Sequence, residues 1–156
     1  MQLSDVFLGL GEANFAQLLR SISIGKLKTY QMYERVKLRF RMNKLNSETL
    51  RAATPRLWSR MSERDEEFAT DVAQTVLVSH LDMIRDVLDF LGLPHEDGFF
   101  AKDMNAEAIL TGDWQQRAYE QFRGKYSEAL LVFYLNHLAH ELTKPEAVFH
   151  PAVAAQ

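Results

Sequence analysis

Residues 62–94 read SERDEEFATDVAQTVLVSHLDMIRDVLDFLGLP, and this stretch decides the fold class. Phe68, Ala69, Val72, Ala73, Val76, Leu77, His80, Leu81, Ile84, Val87, Leu88 and Leu91 recur at i, i+3, i+4 spacing, the period of one helix face. Asp71, Gln74, Asp82, Arg85, Asp86 and Asp89 fall on the opposite, solvated side. Ser62 is placed to cap the start, and Glu63, Asp65, Glu66 and Glu67 crowd the first turn, where the helix dipole favours negative charge. Gly92, Leu93 and Pro94 form a stop: a left-handed cap, an apolar residue to fold back, and a ring that cannot continue. The pattern predicts a long helix near 62–91.

A second long helical region is expected over 113–142. Asp113 caps its start at Trp114, Gly124 marks a weak point, and Pro145 lies beyond the end at Thr143. Ala129 to Leu135 are apolar on every side, as in a helix buried at the centre of a bundle. Shorter helices are expected over 12–23, from Glu48, from Thr54-Pro55 with the proline at its first position, and over 103–111. Residues 94–102 read as a surface loop, in which adjacent Phe99 and Phe100 are either core anchors or a partner patch. The stretch 36–42 is ambiguous, because Val36, Leu38, Phe40 and Met42 alternate with basic residues as a strand would. No second strand exists to satisfy its backbone, so it too is expected to be helical, with long basic side chains along the surface.

The whole is therefore expected to be an all-α, compact bundle of about six to seven helices, one domain over 1–150 with a frayed tail at 151–156. The bulk composition agrees. The 156 residues are one domain's length, 47% hydrophobic and 25% charged, with only 7 Gly and 4 Pro. There is no cysteine, which excludes disulfides, thiolate metal sites and a cysteine nucleophile. The longest apolar run is far shorter than the roughly 18 residues of a membrane span, and the start lacks a basic leader. No membrane partner and a cytoplasmic location are the expectations.

Charge is unevenly placed. Residues 1–62 carry 11 Lys/Arg against 4 Asp/Glu, and residues 63–156 carry 7 against 17, so balances of +7 and −10 give the net −3. Such a split means either an electropositive binding face or two sets of charges that pair in the fold.

Two constellations could carry chemistry. His137, His140 and Glu141 share a helix face by i, i+3 and i, i+4 spacing, and His80 lies in the apolar stripe of the 62–91 helix. Together they are candidate ligands for zinc or a non-haem iron, although the order His-x-x-His-Glu matches no zinc-protease motif. Their structural alternative is hydrogen bonding at a helix C-terminus. The second constellation is Lys26, Lys28, Arg35, Lys37, Arg39, Arg41 and Lys44, interleaved with Tyr30, Tyr33 and Phe40. Cations bind phosphates and aromatics stack on bases, so Lys37, Arg39, Arg41 and Lys44 are candidate nucleic-acid contacts. The pI of about 5.9 and the absence of a recognition motif argue against that use. Phosphate-binding glycine loops and nucleophile elbows are absent, and no cofactor is expected. The expectation is a non-enzymatic helical protein that works by binding another protein or itself, with nucleic-acid binding and metal binding as alternatives.

Overall fold

Asp65, rather than Ser62, begins the helix that 62–94 encodes: its side chain accepts the Phe68 backbone N–H at 3.1 Å. Ser62 instead ends the preceding helix, because Arg64 turns into a left-handed conformation (φ 59°) between the two. The computed structural model describes residues 1–96, 98–100 and 104–152. Among these the chain is all-α, with ten helices and one two-stranded hairpin.

The helices are α1 (Leu3–Leu10), α2 (Glu12–Arg20), α3 (Ile24–Thr29), α4 (Tyr33–Arg39), α5 (Ser47–Ser62), α6 (Glu66–Val78), α7 (Leu81–Leu91), α8 (Ala106–Ile109), α9 (Trp114–Phe122) and α10 (Glu128–Leu142). The strands β1 (His95–Glu96) and β2 (Phe99–Phe100) pair antiparallel within the stretch expected to be a plain loop. Asp97, residues 101–103 and the tail at 153–156 lie outside the described residues. So do the side chains of Phe99 and Phe100, and with them the choice between core anchor and partner patch.

The helix expected over 62–91 is two helices, broken at Ser79-His80. Both residues sit where the stripe turns polar, and both find partners on the 21–23 turn. Ser79 Oγ accepts the Ser23 backbone N–H at 2.9 Å, and His80 Nε2 lies 3.0 Å from Ser21 Oγ. The Ser21 hydroxyl spends its one proton on the Leu18 carbonyl, so the His80 ring must donate from Nε2. The region 113–142 is likewise divided, into α9 and α10 on either side of Gly124. Conversely, the two short helices expected before and after Pro55 are one, α5. Leu50, Leu57 and Met61 share a buried face that a break would split, and this outweighs the missing proline N–H.

The contacts gather into two compact units that divide at the Ser79-His80 break: Gln2–His80, and Leu81–Gln156 together with Met1. In the first, α1 packs on α2, α5 and α6, while α3 and α4 pack on each other and on α6. Phe7 meets Phe15 edge-on at 5.9 Å, Phe15 meets Trp58 at 5.2 Å, and Phe40 meets Phe68 at 5.9 Å. Ser4 is fully buried and gives both its N–H and its hydroxyl to Glu66, which thereby closes the start of α1. In the second unit α9 packs on α7 and α10. Residues 129–135 are all buried, as their all-round apolar character requires. No helix among the described residues is long and apolar enough to cross a membrane.

Candidate functional site

The His137 ring packs on Phe133 at 6.0 Å and its Nε2 stands 3.7 Å from Glu141 Oε1, beyond a good hydrogen bond. Burial, with the charge of His140 second, pushes the His137 pKa down to about 4, so the ring is neutral at pH 7. His80 belongs to the other unit and bonds Ser21, and burial lowers its pKa as well. Among the described residues no group of three or more His, Asp or Glu side chains is placed to hold a metal ion. Asn136, next to His137, has the clearest role. Fully buried, it accepts the Phe149 N–H at 2.7 Å and donates to the Phe149 carbonyl at 3.0 Å and the Val132 carbonyl at 2.9 Å. A side-chain amide thus pairs with one backbone residue as a strand would, and clasps the chain after α10 against it.

The basic stretch folds as α3 and α4, joined by a tight turn at 30–32. Several of its cations are committed. Arg39 meets Glu67 at 2.5 Å and Asp71 at 3.6 Å on α6, and Arg35 donates to Gln74 at 3.1 Å. Lys37 pairs with Glu34 at 2.9 Å, and Lys28 and Lys37 stand 5.2 and 5.8 Å from the centre of the Tyr33 ring. Part of the charge asymmetry is therefore satisfied inside the first unit, between α4 and α6. Lys26, Arg41 and Lys44 are exposed and have no acidic partner among the described residues. Of the candidate nucleic-acid contacts, Arg41 and Lys44 are available, while Lys37 and Arg39 are engaged. The aromatics are largely spoken for as well: Phe40 is fully buried, and the Tyr33 ring is flanked by two lysines.

The alternation at 36–42 has an outcome that sequence reasoning missed. Because 36–39 is helical, Val36 and Phe40 lie one turn apart on the buried side, and Leu38 points about 160° from both. Leu38 is accordingly 75% exposed, the most exposed large apolar side chain described. Two left-handed residues bound this helix. Gln31 (φ 58°) ends α3, with Met32 N–H bonding the Leu27 carbonyl; Arg41 (φ 56°) ends α4, with Met42 N–H bonding the Lys37 carbonyl. Both are the helix-ending turns that glycine usually supplies, and a side chain there costs about 1 kcal/mol. Gln31 lines a shallow concavity of about 510 Å³ with Lys28, Tyr33 and Glu34, and Glu34 sits one turn before Leu38. Tyr30, in the same turn as Gln31, is 47% exposed. The signal for Leu38 was present in the sequence: a period of two, once assigned to a helix, forces one apolar residue outward.

Compared with known proteins, the chain matches no family profile, no curated protein and no solved structure.

Proposed function

We propose that this is a non-enzymatic helical protein that works by protein–protein interaction through the outward face of α4. The observation that carries the proposal is Leu38, 75% exposed and turned about 160° from Val36 and Phe40 on a helix bounded by two left-handed, non-glycine turns. A lone exposed leucine is ordinary. Here it is accompanied by half-exposed Tyr30 and a concavity one turn away. An apolar centre with a polar and charged rim is the composition of a protein interface. A nucleic-acid surface would present free cations and open aromatic faces; here Lys37, Arg39, Tyr33 and Phe40 are engaged or buried, which leaves Lys26, Arg41, Lys44 and Tyr30 for that use.

The test is a photo-cross-linking amino acid placed at position 38 of the full chain in living cells. A discrete protein adduct is expected, absent when the same group stands at exposed Glu48 on α5. Adducts to nucleic acid alone, or none at all, would overturn the proposal.

A further inference from the structure

We propose that Asn136 and Gln116, on the seam of α10 and α9, form a peptide site that reads main chain. The protein's own residues 149–152 fill it, and an extended segment of another polypeptide can take their place. Asn136 accepts the Phe149 N–H at 2.7 Å and donates to the Phe149 carbonyl at 3.0 Å. Gln116 accepts the Ala152 N–H at 2.8 Å. The two anchored residues are three apart in sequence, a span of at most about 10 Å.

The site is built independently of its occupant. Asn136 Nδ2 also donates to the Val132 carbonyl at 2.9 Å, and Gln116 Nε2 donates to Glu120 at 3.1 Å. Each amide is thereby oriented with its oxygen left for an incoming N–H. The residues beside the two anchors bond each other, Gln115 Nε2 to the Leu135 carbonyl at 3.3 Å, which fixes the spacing between them.

The occupant, in turn, is held as a ligand would be. Among the described residues, 145–152 make no backbone–backbone hydrogen bond, and Asn136 and Gln116 supply every hydrogen bond they have. Val148, Phe149 and Pro151 are half-buried, while Ala147, His150 and Ala152 are exposed. The helix does not need the segment in order to end. The N–H groups of Thr143 and Lys144 both close on the Ala139 carbonyl, with Lys144 left-handed (φ 48°).

Bonds to main chain hold a segment whatever its sequence, and the half-buried side chains add the selectivity. The ligand class is therefore an extended segment with a free N–H and carbonyl on an aromatic residue, proline two residues later and a free N–H one beyond it. Asn136 is fully buried, and an amide left unpartnered there is costly. The site accordingly favours exchanging one segment for another over standing empty.

The test uses the full chain and a fluorescent, end-blocked peptide Pro-Glu-Ala-Val-Phe-His-Pro-Ala, the sequence of residues 145–152. Phe149→Pro removes the N–H that Asn136 accepts and so empties the site without shortening the protein. Ala152→Pro, at an exposed position, removes only the bond to Gln116. Circular dichroism checks both folds, and Ala152→Pro carries the test if Phe149→Pro is unfolded. Each variant is expected to bind the peptide saturably by fluorescence anisotropy. The wild-type protein is expected to bind at least about tenfold more weakly, because its tethered segment competes at an effective concentration on the order of millimolar. A peptide N-methylated at the phenylalanine keeps every side chain and loses the N–H, and it is expected not to bind. A folded variant that takes no peptide would overturn the proposal. Equal binding by wild type and variants, or by the methylated peptide, would do the same.

Discussion

At the scale of single residues, two buried polar groups make the strongest commitments. His137 is held neutral down to about pH 4, whereas in the unfolded chain it takes a proton near 6.5. Between those values the unfolded state binds more protons, so stability is complete above pH 6.5 and falls as the pH drops towards 4. The drop amounts to about 3 kcal/mol for a shift of that size. Urea midpoints measured from pH 7.5 to 4 should fall in that window, and His137→Gln should flatten the slope. An unchanged slope would place the acid sensitivity elsewhere. Asn136 is the second. Asn136→Ala removes three hydrogen bonds and leaves the Phe149 N–H without its partner, at a cost of about 2–4 kcal/mol. Hydrogen exchange should report it directly, with the Phe149 amide losing protection ahead of the α10 amides.

At the scale of elements, the turns that end α3 and α4 are built against backbone preference. Gln31→Gly and Arg41→Gly should each raise stability by about 0.5–1 kcal/mol in urea, because glycine takes the left-handed conformation without strain. Under the function proposed above, Arg41→Gly should also weaken binding, separating the stability of the turn from its use. The start of α1 depends on a residue far along the chain. Glu66→Ala strands the buried Ser4 N–H and hydroxyl and should cost about 2–3 kcal/mol in a thermal or urea melt. These elements also mark how far the sequence was legible. Periodicity located α6, α7 and α10, because a helix face repeats locally and its apolar residues announce it. The breaks were hidden. Ser79 and His80 interrupt a continuous stripe only because the 21–23 turn arrives to bond them, and Pro55 passes inside α5 only because Leu50, Leu57 and Met61 need one face. The histidine cluster is legible only as a shared helix face, since spacing alone cannot distinguish a shared face from a shared point in space. Leu38 was overlooked for the opposite reason: its pattern was read for what it should bury, not for what it must leave out.

At the scale of the whole molecule, charge is the property that reaches solution behaviour. The pairing of Arg39 and Lys37 with acids of their own unit means that replacing them by Gln should barely move elution from heparin. Arg41→Gln and Lys44→Gln should bring elution earlier, because those side chains have no acidic partner to release first. Equal shifts from all four would show the internal pairs to be loose in solution. The order of helices along the chain has a consequence of its own during synthesis. The seven apolar residues 129–135 would be hazardous in water, yet they leave the ribosome after α9, the helix that packs on α10. At roughly 5–20 residues per second, that run follows its α9 cover within seconds. The segment that Asn136 clasps emerges next. The stretch most prone to drive aggregation is thus made late, when its surroundings are already waiting.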